Sequence, residues 1–197
     1  MSTAGYVRKH IHNLPEKQIF VTRELLHYGP RAAVDQIMYR LVALGEIVRL
    51  AWGVFIKPYP GFALPSISEV ANYKAKAFDK RVFIHGQDAA RELDILKKGN
   101  VIVTFDTDAS SSSTFNCPEH FQRVRFKATA PRRLFAGDKR LGKVIRSLWH
   151  LGKRVCNQMH VQKATINLNR AERHELHKAA HQIPSWLVSL IRGYDSS

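Results

Sequence analysis

The spacing of hydrophobic positions changes along the chain, and each change marks an element. Between Thr3 and His12, Val7 and Ile11 share one face, with Leu14 just beyond. This predicts a short helix that Pro15 terminates, because proline lacks the donor and clashes with the preceding turn. "QIFVT" reads as a short strand. Thr22 is a suitable N-cap for a helix over "RELLHYG", closed by Gly29, and Pro30 stands where a first helical residue tolerates proline. Val34, Ile37, Met38, Leu41 and Val42 then recur at i, i+3, i+4, i+7 and i+8, the apolar stripe of an amphipathic helix. The opposite face carries Arg31, Ala32, Asp35, Gln36, Tyr39, Arg40 and Ala43, and Gly45 ends the helix. "EIVRL" and "GVFIK" flank an "AWG" turn as a β-hairpin. Helix, helix, helix, hairpin is the order of a winged helix-turn-helix.

Beyond residue 60 the pattern mixes periods. "PSISEVANYKAKAFD" predicts a helix with a Ser66-x-x-Glu69 capping box. "RVFIHG" reads as a strand, "QDAARELDIL" as a helix, "NVIVTFDTD" and "RVRFKATA" as strands, and "DASSSST" as a loop between strands. Residues 137–192 read as helical. Leu141, Val144, Ile145, Leu148, Trp149 and Leu151 form one apolar set, and Pro184 breaks the later helix before Trp186, Leu187, Leu190 and Ile191. The expected fold is α+β. An N-terminal winged helix-turn-helix over 1–60 precedes a mixed α/β and helical C-terminal domain over 61–197.

Charge narrows the function. The chain has 31 Lys and Arg against 16 Asp and Glu, a formal net of +15. Residues 1–60 carry 8 basic and 4 acidic residues, 61–116 carry 7 and 7, and 117–197 carry 16 and 5, so the excess sits at the two ends. Such a balance favours a polyanionic partner, most often nucleic acid. Cys117 and Cys156 form no CxxC pair and suggest neither a disulfide framework nor a zinc ribbon, which fits a reducing cytoplasm. No apolar h-region opens the chain and no run approaches the ~18 residues of a membrane span.

Candidate chemistry is sparse. Asp106-x-Asp108 has the spacing of two carboxylates that could share a divalent cation, but lacks a third carboxylate and a phosphate-cradling loop. His174, His177 and His181 share a helix face without an HExxH motif. Ser110 to Ser113 have no nucleophile-elbow context. The expectation is therefore a non-enzyme without metal or cofactor. For a DNA-binding reading, the second helix of the helix-turn-helix enters the major groove. Arg31 suits guanine and Gln36 adenine through paired hydrogen bonds, and Ala32 suits a thymine methyl. Thr22, Arg23, Tyr39, Arg40, Arg49, Trp52 and Lys57 complete the expected contacts of this region. Arg132, Arg133, Lys139, Arg140, Lys143 and Arg146 form a basic run expected to add a second electrostatic contact with DNA or to meet an acidic partner.

"RAAVDQIMYRLVALGEIVRLAWGVFIKP" resembles the winged-helix region of the AbiEi family, the antitoxins of type IV abortive-infection toxin–antitoxin systems. The resemblance lies in Arg31 to Gln36, Gly45, Ile47 to Leu50 and Gly53 to Phe55. It continues through "RVFIHGQDAARELDIL" and returns in "AERHELHKAAHQIPSWLVSLI". It implies an autorepressor that binds inverted repeats in its own promoter, as a homodimer on DNA, and neutralises a nucleotidyltransferase-like toxin. Arg31, Gln36 and Arg49 would be DNA contacts. Pro30 stands where the family often has Ser, Trp52 where it often has Arg, and Thr107-Asp108-Ala109 where it has Thr-Asp-Gly. Two other classes stay open: a stand-alone regulator of a mobile element, and a metal-dependent nucleic-acid enzyme using Asp106 and Asp108.

Overall fold

The spacing of Val7 and Ile11 is realised in helix α1, Thr3–Asn13, whose buried residues are those two. The Ser2 hydroxyl caps it by accepting from the Gly5 amide at 3.3 Å. These details come from a computed structural model that describes residues 2–97 and 102–195 of a mixed α+β fold with two small sheets. Strand β1, Ile19–Val21, leads into a 3-10 helix, Thr22–Tyr28. That segment was expected to be an ordinary helix capped by Thr22. Instead the Thr22 amide donates to the Gly53 carbonyl at 3.0 Å, so Thr22 continues the strand's hydrogen bonding and its side chain turns inward. Glu24 takes over the capping, accepting from the Val21 amide at 3.4 Å.

Helix α2, Arg31–Ala43, buries Val34, Met38 and Leu41. It ends at Gly45, whose φ of +71° lies in the left-handed region that favours glycine. Strands β2, Val48–Ala51, and β3, Val54–Ile56, form the expected hairpin about Trp52-Gly53. The first sheet is antiparallel with order β1-β3-β2, so the second hairpin strand is central. Phe20 and Phe55 stack in its core with ring centroids 5.9 Å apart. Helix α3, Ile67–Lys76, has the predicted Ser66–Glu69 capping box and packs Val70, Ala71 and Ala75 against β1 and β3. The first compact unit is therefore Met1–Arg81 with Thr114–Val124, larger than the expected 1–60, because α3 buries its apolar face there.

The second unit is Val82–Ser113 with Arg125–Ser197. Strand β4, Val82–Ile84, is followed by helix α4, Gly86–Glu92, and strand β5, Val103–Thr107. Asn100 and Val101, expected to open that strand, lie outside the described residues. Strands β6, Ser113–Cys117, and β7, Gln122–Ala128, join them in a sheet of order β4-β5-β7-β6, although residues 114–117 and 122–124 of these two strands belong to the first unit. The serine-rich stretch was expected to be loop throughout, but Ser113 and Thr114 open β6. The buried Phe115 and Cys117 alternate there with exposed Thr114 and Asn116, a period of two that the serines mask. Then come α5, Pro131–Leu134, α6, Arg140–Leu151, α7, Gln158–Thr165, α8, Arg170–Lys178, and α9, Ser185–Asp195. Leu141, Val144, Ile145 and Leu148 of α6 pack with Val161, Leu176, Leu187 and Ile191 in one apolar core. No helix among the described residues is long and apolar enough to cross a membrane.

The start of α4 lies directly on α6. A Cβ at Gly86 would collide with the Arg146 carbonyl oxygen and come within 2.7 Å of the His150 Cβ. Backbone cannot yield as a flexible side-chain tip does, so Gly86→Ala forces the two helices apart. The expected cost is about 1–3 kcal/mol, measured by equilibrium denaturation.

Asp106 does not present a carboxylate pair to solvent as the Asp106-x-Asp108 spacing suggested. It is buried, with Oδ1 2.9 Å from His85 Nδ1 and accepting from the Thr129 hydroxyl at 2.7 Å. Burial raises the carboxyl's pKa, yet His85, Thr129 and the Lys127 charge outweigh that and hold it below the ordinary aspartate value. Its stabilising contribution is present above the unfolded pKa of about 3.9. It is lost as pH falls through the lower folded value. Denaturation between about pH 7 and about pH 3 should show this loss in the native chain and a flatter profile in Asp106→Asn.

Candidate nucleic-acid interface

The burial of Val34, Met38 and Leu41 turns the other side of α2 outward. Arg31, Ala32, Gln36, Tyr39 and Arg40 are all exposed, Tyr39 at 65%. Among the described residues, Gln36, Tyr39 and Arg40 make no side-chain hydrogen bond. The Arg31 Nε donates to Asp35 Oδ2 at 2.7 Å, an i,i+4 pair on the surface. Solvent screens such a pair, and one carboxylate oxygen does not occupy all five guanidinium donors.

The hairpin adds an aromatic and cationic tip. Trp52 is 68% exposed. The Arg49 guanidinium lies 5.4 Å from the Trp52 ring centroid and 5.7 Å from that of Phe55. The Arg49 Nε is buried without a hydrogen-bond partner among the described residues. Lys74, on α3, donates to the Trp52 carbonyl at 2.7 Å and sits over the Phe115 ring at 5.1 Å. Burial lowers its pKa, and the nearby Cys117 thiol opposes this only in part. A hollow of about 230 Å³ brings Arg23, Arg31, Trp52, Lys74 and Phe78 together. Sequence reasoning missed Lys74. It is one of two lysines on an amphipathic helix, and only the tertiary fold carries it to the hairpin.

Other expected contacts have structural work to do. Thr22 is 4% exposed, so although it borders that hollow it presents almost no outward surface to DNA, a correction to the sequence reading. The Arg23 guanidinium donates to the Ala77 carbonyl at 2.6 Å and lies over Phe78 at 5.5 Å. Lys57 donates to the His12 and Leu14 carbonyls at 3.1 and 3.4 Å, at the negative end of the α1 dipole.

The basic run of the second unit is not one outward face. Arg146 is 3% exposed, and this too corrects the sequence reading. It donates to the Ile84 carbonyl at 2.9 Å, the Gly137 carbonyl at 2.6 Å and the Asp138 carboxylate at 2.5 Å. Arg132 donates to the Gln182 carbonyl at 2.8 Å, Arg140 to the Asn167 carbonyl at 2.5 Å, and Lys143 to Glu92 at 2.6 Å. Arg133 lies over Trp149 at 5.0 Å, and exposed Lys139 precedes α6. Among the described residues no three His, Cys, Asp or Glu side chains are grouped to hold a metal, the histidines of α8 included.

The α2 surface separates from the core by energy as well as position. Gln36→Ala and Tyr39→Ala should change folding stability by no more than about 0.5 kcal/mol. Met38→Ala, one residue before Tyr39 but buried, should cost about 2–5 kcal/mol. Urea denaturation of the three variants measures both.

No curated protein and no solved structure matches the chain. One family model does, a family of unknown function designated DUF6088, over residues 6–176. From the sixth residue to the end of the Arg170–Lys178 helix, short of its last two positions, the sequence fits that model, and the chain belongs to the DUF6088 family.

Proposed function

We propose that the first unit is a winged helix-turn-helix that binds duplex DNA in a sequence-dependent way, with α2 as the recognition helix. The observation that carries this reading is the outward face of α2. An arginine, a glutamine, a tyrosine and a second arginine stand exposed on one helix, and three of the four have no side-chain hydrogen bond in the protein among the described residues. Three features support it. The element order is helix, strand, 3-10 helix, helix, hairpin. The helix is 13 residues long, about 20 Å at 1.5 Å per residue, and its diameter of about 10–12 Å suits a major groove of about 12 Å. The Arg49–Trp52 stack stands at the hairpin turn, where a wing meets the sugar–phosphate backbone.

In this reading Arg31 and Gln36, in the first turns of α2, face base edges, while Tyr39 and Arg40 lie further along and face phosphates. Arg31 exchanges Asp35 for guanine, which is inexpensive because the pair is already wet. The resemblance to the AbiEi antitoxins extends the proposal to an autorepressor acting on inverted repeats, with two copies matching the two half-sites, and to neutralisation of a nucleotidyltransferase-like toxin. That extension rests on the resemblance alone, and the toxin half is tested by co-expression with the product of the adjacent reading frame.

The DNA half is tested by selecting a binding site from random duplexes and measuring anisotropy. Arg31→Ala and Gln36→Ala should each cost about 1–3 kcal/mol on the selected site and little on random duplex. Arg40→Ala should weaken both alike and reduce the salt slope by about 1. Unchanged affinity in folded Arg31→Ala and Gln36→Ala would remove α2 from the interface.

A further inference from the structure

The second unit holds a polar cavity that the DNA reading does not use. Its volume is about 150 Å³, room for about five waters at about 30 Å³ each. Four elements and one element boundary supply its charged and titratable walls. They are His85 just before α4, Asp106 on β5, Lys127 on β7, Arg133 on α5, and Arg146 and His150 on α6. The fixed charges are three cations against one carboxylate.

That carboxylate is already committed. Asp106 Oδ1 lies 2.9 Å from His85 Nδ1 and 2.7 Å from the Thr129 hydroxyl. Asp138, outside the cavity, accepts from Arg146 and from the Ile84 amide. The cations are differently placed. The Arg133 guanidinium lies over the Trp149 ring at 5.0 Å. This cation–π contact holds the guanidinium beside the ring, and its N–H donors make no hydrogen bond among the described residues, which leaves them available to grip an oxyanion. The Lys127 ammonium makes no hydrogen bond or salt bridge among the described residues and acts on Asp106 and His150 only through space. Arg146 directs three of its five N–H donors at protein acceptors and still borders the cavity.

His150 reports the resulting field. Burial lowers its imidazole pKa first, and then His85 and Lys127 lower it further, against weaker opposition from Asp106 and Asp88. The cavity thus holds uncompensated positive charge in a partly desolvated place, where an anion gains more than it would in water. The His85–His150 ring pair, with centroids 5.3 Å apart, adds ring nitrogens at the rim.

We infer that this cavity binds the terminal phosphate of a small phosphorylated compound, with Lys127 and Arg133 as its principal donors. A phosphate monoester offers three acceptor oxygens and up to two negative charges, which matches an arginine fork, a lysine point charge and a neighbouring histidine. A duplex phosphodiester carries a single charge and is flanked by sugars on both sides, which fits a concave site of this size less well.

The test uses the full chain and calorimetry with four probes: inorganic phosphate, sulfate, adenosine 5′-monophosphate and random-sequence duplex DNA. Phosphate and the nucleotide should bind. Lys127→Gln and Arg133→Gln, at half-buried and exposed positions, should each weaken that binding about tenfold or more. Lys163→Gln, exposed on α7 and outside the cavity, should leave it unchanged. Tighter binding of the nucleotide than of phosphate would identify a nucleotide ligand, and equal binding would identify phosphate itself. A second readout follows the His150 imidazole by NMR between about pH 5 and pH 8 with sulfate, which stays dianionic there. Bound sulfate should raise the His150 pKa against the surrounding charges of His85, Asp88, Asp106, Lys127, Arg133 and Arg146. Absence of phosphate and nucleotide binding at millimolar concentration would overturn the inference. So would binding indifferent to both variants, or an effect of the variants on duplex DNA alone. None of these results depends on Arg31 or Gln36, so this site and the α2 interface fail or stand separately.

Discussion

One buried guanidinium organises the second unit. Removing a charged arginine from water costs several kcal/mol unless hydrogen bonds and an opposite charge replace its hydration. Arg146 meets that requirement with the Ile84 carbonyl at the end of β4, the Gly137 carbonyl, and Asp138. Burial lowers its pKa, and the charges of Asp138 and Asp106 pull the other way. These bonds fix the end of one strand, the turn before α6 and α6 itself to a single point. Gly86 completes the constraint, since only a residue without a Cβ lets α4 approach the Arg146 carbonyl. The polar cavity beside Arg146 is a consequence. Three elements meet at a charge that must be solvated by the protein, and the remaining walls cannot all be apolar.

The first unit works by a different economy. Its core is apolar, built on Val7, Phe20, Leu25, Val34, Met38, Leu41 and Ile47. Its polar side chains near element ends serve backbone groups, as Glu24, Ser66 and Lys57 do. What this leaves over is the exposed side of α2, whose polar residues have no such duty. Polar side chains that serve neither a cap nor the core are the ones available for recognition.

The net charge of +15 is therefore not a uniform coat. Several cations in the second unit donate to backbone carbonyls, Arg132 and Arg140 at the surface and Arg146 in the interior. Arginine suits this use because its planar fork satisfies several acceptors at once. A count of basic residues measures the far field that draws a polyanion in, but not the number of donors free to touch it.

Much of the local structure was legible in the sequence. Val7 and Ile11, the stripe from Val34 to Val42, the Trp52-Gly53 turn, the Ser66–Glu69 box and the apolar set of α6 depend on neighbours within a turn or a hairpin, and such interactions are written in adjacent residues. The outward face of α2 follows from the same periodicity, since an inward stripe determines its opposite. The failures share one cause. Thr22 read as a cap until Gly53, far along the chain, claimed its amide. Arg146 read as a surface cation because its helix position says nothing about Ile84, more than sixty residues earlier. Ser113, before Phe115, read as loop because pairing with β7, the strand that follows, and not side-chain propensity, makes that segment extended. The cavity around Lys127 and His150 had no sequence signature, because its walls come from five separate stretches of chain. Sequence by itself determined the helices, the turns and which faces are apolar. Tertiary structure alone decided which polar and charged side chains are used up inside and which remain to bind, because hydrogen bonds to distant backbone and the desolvation of buried charge depend on contacts that no local pattern encodes.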